Sequence, residues 1–337
     1  ILARDVSYFD VGSIEISPSQ ELLAYTVDRQ GNEFYELVIH RIDSGESFPV
    51  SDSKNDITGS PLVISGQIVW GADDKTLFYT KTDEAERSYQ VFCRTFKNEE
   101  GSEEELIFEE LENSYFVSIA KTADGKYLII NNDSSESSEV HYIDLSTKAK
   151  SPSVITNRVE NVLCYVEHFK GFWLVMSNVG GNSDFQLWKS KVDGNFELIR
   201  LMESNSGSPL LDGTPIEGFV TFEHHLVIQG RKNGLAQLWI VELDESLSVI
   251  RSERLNWDAE PAHSVDLGYN ENYAATSIIV VYESLVSTPC TFLVWLLGKA
   301  PHLQFRRNIN LRSLSHLNRR LRCNMCTSTS ANLPTTE

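Results

Sequence analysis

Few residues of this 337-residue chain have the types and spacing that catalysis or metal binding requires. Cys323 and Cys326 form a CxxC pair, which is the spacing of half a zinc site or of a thiol–disulfide redox pair. A second such pair, or two histidines three to five residues apart, would complete a zinc site, and neither follows. We therefore interpret the pair as coincidental and expect no metal and no cofactor.

Three other groups of residues could bind a ligand or carry a modification. Residues 83–87, DEAER, place three carboxylates close together and could receive a cationic peptide, but we favour a solvated loop between strands. His224 and His225 lack further ligand residues at metal spacing, so we interpret them as a surface or core-edge pair. Residues 132–134, NDS, satisfy the N-glycosylation sequon, but they fall in a predicted turn where Asn and Ser are common.

The charge is unevenly distributed along the chain. Residues 1–290 carry 22 Lys+Arg against 47 Asp+Glu, whereas residues 291–337 carry 7 against 1. The acidic part should repel nucleic acid and anionic membrane surfaces and attract cationic peptides. The arginines of the basic tail could contact phosphates, but only Phe305 lies near them for base stacking, so we expect no nucleic-acid partner. The tail arginines are Arg306, Arg307, Arg312, Arg319, Arg320 and Arg322.

Two further features bear on the compartment. The apolar run at residues 291–297 is far shorter than the roughly 20 residues that a membrane helix needs, so we expect no membrane association. Five sparse cysteines do not make a disulfide framework for a chain of this length. A reducing, cytoplasmic location is the expectation.

The elements that would position any site follow a repeat of about fifty residues. Short apolar segments begin at Leu23, Leu77, Leu128, Leu174, Leu226 and Ile279, at steps of 54, 51, 46, 52 and 53 residues. Each is followed by a second strand-like segment after a polar link, and several are preceded by another across a tight turn. About four strands per unit at this period are typical of propeller blades. We predict an all-β propeller, incomplete, with about six recognisable four-stranded blades, an outer strand at residues 106–116 and an acidic loop at residues 101–105.

The sequence segments that contain the repeat also resemble those of a known family. They are YFDVGSIEISPSQELLAYTVDRQGNEFYELVIHRIDSGE (8–46), IVWGADDKTLFYTKTDEAERSYQVFCR (68–94), FVSIAKTADGKYLIIN (116–131), SSEVHYIDL (137–145) and VVYESLVSTPCT (280–291). Together they resemble the N-terminal propeller of the prolyl oligopeptidase family of serine peptidases, in particular its oligopeptidase B (protease II) branch. The resemblance implies a seven-bladed propeller that caps an α/β-hydrolase domain and admits short peptides, which the oligopeptidase B branch cuts after Arg or Lys.

The resemblance implies that the catalytic residues lie in the hydrolase domain, and we expect that domain to be absent from residues 1–337. A hydrolase serine needs glycines on both sides, as G-x-S-x-G, because side chains there would clash. Only Gly230 and Gly234 have this spacing, and Lys232 stands between them. We assign no catalytic, cofactor-binding or metal residues and expect the chain to be inactive alone, so whether it counts as an enzyme is uncertain.

The family pattern also suggests the domain boundaries. By comparison with the family we expect the segment that makes the first blade to be absent, and after Thr291 the sequence departs from the expected strand. We predict a truncated propeller at residues 1–291 and a non-family, irregular tail from Phe292 to residue 337, produced by a shifted frame, a retained intron or a misjoined exon. The alternative function is a non-catalytic scaffold for protein–protein interaction. A G-x-S-x-G region encoded in frame downstream would favour the peptidase.

Overall fold

The computed structural model consists of β-strands joined by turns and loops. It describes residues 7–50, 62–97, 101–147, 150–181, 184–191, 194–199, 201, 210–211, 214–255, 262–285 and 287–296. These residues form 24 strands in six sheets and contain no helix. The predictions of an all-β chain and of about six blades are confirmed. We call the sheets blades 1 to 6 in chain order.

Blades 1 to 3 occupy the first half of the chain. Blade 1 has the order β1-β2-β3-β4, with β5 also pairing β3: β1 Asp10–Ile16, β2 Leu22–Asp28, β3 Tyr35–Arg41, β4 Ser47–Pro49 and β5 Val63–Ile64. Blade 2 comprises β6 Ile68–Trp70, β7 Thr76–Thr82, β8 Ser88–Lys97 and β9 Gly101–Glu109. Blade 3 comprises β10 Phe116–Lys121, β11 Tyr127–Asp133, β12 Ser138–Asp144 and β13 Ser153–Thr156.

Blades 4 to 6 follow with the same strand order. Blade 4 comprises β14 Cys164–Phe169, β15 Phe172–Ser177, β16 Gln186–Lys191 and β17 Glu197–Leu198. Blade 5 comprises β18 Ile216–Thr221, β19 His225–Lys232, β20 Leu235–Leu243 and β21 Val249–Arg254. Blade 6 has three strands among the described residues: β22 His263–Leu267, β23 Ser277–Ser284 and β24 Ser287–Trp295.

The six predicted hairpins are present as β2-β3, β7-β8, β11-β12, β15-β16, β19-β20 and β23-β24. The predicted outer strand after β8 is also present, but its bounds differ. It runs over Gly101–Glu109, so residues 101–105 form the first half of β9 and the acidic loop predicted there is wrong. Pairing with β8 places Glu104 opposite Arg94, so one of these acidic residues faces a cation across the strands.

The chain divides into two compact units. Unit 1 comprises residues 1–168, 173–179 and 190–195, and unit 2 comprises residues 169–172, 180–189 and 196–337. In unit 1, one apolar core fills the seam between blades 1 and 2 and includes Leu37, Trp70 and Tyr79. A second core fills the seam between blades 2 and 3 and includes Phe78 and Ile130. Because side chains alternate between the faces of a strand, neighbouring residues such as Leu77 and Phe78 contribute to different seams.

Unit 2 has its own core between blades 5 and 6, which includes Leu238, Ile278 and Val280. Here the structure explains the two glycines that have nucleophile-elbow spacing. A Cβ on Gly230 would lie 2.5 Å from the backbone oxygen of Pro215, so glycine is needed for close packing of the backbone. Asn233 and Gly234 have φ of 54° and 80° and form the two-residue turn between β19 and β20.

The last strand continues past the domain boundary predicted at Thr291. Val281 pairs with Thr291, Ile279 with Leu293 and Ser277 with Trp295. Val294 is fully buried in the unit 2 core. The sheet therefore extends to Trp295, while the origin of the residues after Thr291 stays a prediction, and residues 297–337 lie outside the described residues.

Candidate functional site

Two clusters of polar side chains in unit 1 lie at seams between blades. At the seam of blades 2 and 3, Arg158 donates to Glu112 at 2.9 Å, lies 3.1 Å from Glu139 and also bonds Glu110. Its guanidinium stacks 3.6 Å from the ring centroid of Tyr115. One arginine thus pairs with three carboxylates that belong to the blade 2–3 connection and to β12.

Glu110 is the most buried of these carboxylates, with 9% of its side chain exposed. Burial alone would raise its pKa, but hydrogen bonds from Asn132, the backbone N–H of Glu112 and Arg158 outweigh burial and hold the pKa below its usual value. Asn132 is fully buried and its amide donates to Glu110. The sequon at residues 132–134 is therefore closed to a glycosyl transferase in the folded chain.

The acidic run at residues 83–87 forms a tight turn whose first carboxylate is engaged internally. Asp83 accepts from the N–H of Ala85 at 2.9 Å and from both the N–H and the Nε of Arg87. Arg87 is buried and also donates to the backbone oxygens of Glu112 and Tyr115. This geometry supports the loop interpretation rather than a receptor for a cationic peptide.

A second polar cluster lies at the seam of blades 3 and 4. The Nδ1 of His168 lies 2.7 Å from the Oδ2 of Asp124, and both side chains are at least 97% buried. Burial alone would raise the pKa of Asp124, but hydrogen bonds from His168, Thr122 and the N–H of Lys126 lower it to about 2. The Nε2 of His168 has no hydrogen-bond partner among the described residues. An Asp–His pair of this kind orients an imidazole, but no described nucleophile hydrogen-bonds to it.

Among the described cysteines, Cys93 and Cys164 are buried, and burial raises the pKa of both thiols. They are poor nucleophiles, because the reactive form of cysteine is the thiolate. His225 is buried while His224 is exposed, as expected for adjacent residues of a core edge. No group of three or more His, Cys, Asp or Glu side chains suited to a metal occurs in the described part of the chain. Cys323, Cys326 and the tail arginines lie outside that part.

The clusters around Arg158 and Asp124 were not predicted from the sequence, although the spacing of their residues could have indicated them. Their contacts join residues about one repeat apart: Arg158 and Glu112 are separated by 46 positions, and His168 and Asp124 by 44. Trp70 and Glu15, which are hydrogen-bonded across the seam of blades 1 and 2, are 55 apart. Polar residues offset by one blade period are therefore the pattern to search for.

Three comparisons with known proteins bear on the family and the fold of the chain. The family model described as prolyl oligopeptidase, N-terminal beta-propeller domain, matches residues 1–296. Protease 2 of Moraxella lacunata is 28% identical over 294 residues, which are 86% of this chain and 39% of that protein. Dipeptidyl aminopeptidase BI of Pseudoxanthomonas mexicana is 27% identical over 294 residues, 86% of this chain and 37% of that protein.

Oligopeptidase B from Leishmania major provides a similar solved structure. It superposes with a TM-score of 0.71 at 23% identity, covering 88% of this chain and 40% of that chain. At 23% identity, this structural similarity establishes the fold alone. The chain spans about two fifths of the length of these longer proteins. In the described part of the chain, no helix is long and apolar enough to cross a membrane.

Proposed function

Because the chain belongs to the prolyl oligopeptidase N-terminal β-propeller family, we propose that it is the substrate-gating portion of a serine-type peptidase of the oligopeptidase B kind. The observation that carries the proposal is the family match over residues 1–296 together with the greater length of the similar proteins. Their printed names denote peptidases: Protease 2, dipeptidyl aminopeptidase and oligopeptidase B.

In this proposal the chemistry belongs to an α/β-hydrolase domain outside the chain, and the propeller restricts what reaches it. Short peptides that carry Arg or Lys are the proposed substrates. Residues 1–290 have 47 acidic against 22 basic side chains, so their field attracts cationic peptides over distances longer than a contact. We further propose a reducing, cytoplasmic compartment, because the buried Cys93 and Cys164 are free thiols.

The electrostatic part of the proposal predicts salt-dependent peptide binding. A short fluorescent peptide with two lysines should bind the purified chain, and its Kd should rise about tenfold or more between about 0.05 M and 0.5 M NaCl, because salt screens long-range attraction. Fluorescence anisotropy measures this. The control is the same peptide with glutamates at both positions, which should bind more weakly at low salt. Equal affinity for the two peptides at every salt concentration would refute the gating by charge.

A further inference from the structure

The seam between blades 3 and 4 depends on two contacts at one short turn. Residues 122–126 join β10 to β11, and they meet the end of β14. Asp124 pairs with His168 at 2.7 Å, and the N–H of Ala123 donates to the Oε1 of Glu167 at 3.1 Å. Glu167 and His168 of blade 4 thus form hydrogen bonds with Ala123 and Asp124 of blade 3.

Aromatic rings cover the His168 side of this contact. The ring of Tyr127 lies 4.7 Å from that of His168, and the ring of Trp173 lies 5.2 Å from it. Tyr142 packs on Trp173 at 4.9 Å. A charge placed here loses most of its hydration, so its protonation state affects how tightly the blades hold together.

Glu167 is the group whose charge can change near neutral pH. Burial raises its pKa to about 7, the N–H groups of His168 and Ala123 oppose this, and the nearby Asp124 adds to the rise. The other charged or titratable groups at the contact are His168 on the same strand, Tyr127, and Lys126, whose Nζ lies 3.2 Å from Asp124. Lys126 is 61% exposed, so solvent weakens its compensation.

We propose that this contact is a proton-controlled joint between blades 3 and 4, tight while the Glu167 carboxyl carries its proton and weaker once that proton has left to solvent. Ionisation places a second negative charge near Asp124, on a carboxylate that is partly buried. A glutamate whose pKa is higher in the folded than in the unfolded state contributes stability that is complete below the unfolded value and is lost as pH rises through the folded value. The joint therefore weakens between about pH 5 and pH 8. This inference does not depend on the proposed peptidase function.

Hydrogen–deuterium exchange of the full chain at pH 6 and pH 8, corrected for intrinsic exchange rates, tests the proposal. Glu167 has a pKa of about 7 in the closed joint and is expected to have an ordinary glutamate pKa in the open one. Proton linkage then predicts that protection falls about tenfold from pH 6 to pH 8 in peptides covering residues 122–128 and 164–169. Glu167→Gln keeps an oxygen for the two N–H donors and should abolish the fall. The matched control is Glu217→Gln on the first strand of blade 5, which should retain it.

A wild-type chain with equal protection at both pH values would overturn the proposal, and so would a Glu167→Gln variant that retains the tenfold fall. If Glu167→Gln does not fold, Asp124→Asn provides a second test. Removing that neighbouring charge lowers the pKa of Glu167, so the loss of protection must move to lower pH. An unchanged midpoint in this variant would also exclude the joint.

Discussion

Replacing Trp70 with alanine is expected to lower the free energy of unfolding by about 3–5 kcal/mol. Trp70 has no exposed surface and fills the seam between blades 1 and 2 with Leu37 and Tyr79. Its Nε1 donates to the backbone oxygen of Glu15 at 3.1 Å, so the truncation also removes that hydrogen bond. Guanidinium unfolding followed by circular dichroism measures the change.

Two control variants separate the stability cost of the cavity from that of the lost hydrogen bond. Trp70→Phe retains most of the apolar volume and should cost less than the alanine variant, because it loses the Nε1–H donor and only part of the side chain. Leu111→Ala truncates a side chain that is 79% exposed and should change stability by about 0.5 kcal/mol or less. A Trp70→Ala variant as stable as Leu111→Ala would mean that blades 1 and 2 do not pack as described.

Replacing Arg158 with methionine is expected to cost about 2–4 kcal/mol at neutral pH, because it leaves the carboxylates of Glu110, Glu112 and Glu139 without their shared cation. The hydrogen bonds that Glu110 receives, including those from Arg158, depress its pKa, so the stability they contribute is present at neutral pH and lost as pH falls. The cost of the substitution should therefore shrink as pH is lowered from about 7 towards about 4. Thermal melts of both chains across this range measure it.

The control for charge removal is Arg29→Met. Arg29 is 37% exposed and pairs with one carboxylate, Glu36, at 3.4 Å, so its loss should cost about 1 kcal/mol or less. The double variant Arg158→Met with Glu110→Gln should be more stable than Arg158→Met alone, because the buried charge is then absent. A cost that grows at acid pH, or a double variant with additive losses, would contradict the assignment of Arg158 as the shared cation.

The sequence was sufficient to predict the hairpins because their signal is local. Each pair of apolar segments lies within one repeat, and the polar links between them contain the residues that turns need, as at Asn233 and Gly234. The phrase-level resemblance then identified the family, which the match over residues 1–296 confirms. The acidic stretch at 101–105 was misassigned because charge suggested a loop, whereas an outer strand tolerates charge when a neighbour such as Arg94 pairs with it.

The seams could not be predicted because their contacts are not local. Whether Glu167 faces Ala123 depends on how β14 is aligned with the β10-β11 turn, and a shift of one residue would turn its side chain to the other face. The same holds for Arg158, which follows β13 and reaches carboxylates of the preceding connection. A repeat period locates neighbouring blades but does not give the register between them.

We propose that catalysis belongs to a domain outside this polypeptide, and peptide hydrolysis by the purified chain tests this proposal most directly. The chain should be incubated with a reporter peptide ending in Arg or Lys and, separately, with a serine-directed fluorophosphonate probe. We predict no turnover above a mock-purified control and no covalent labelling. Turnover that rises with chain concentration and is abolished by the probe would contradict the claim.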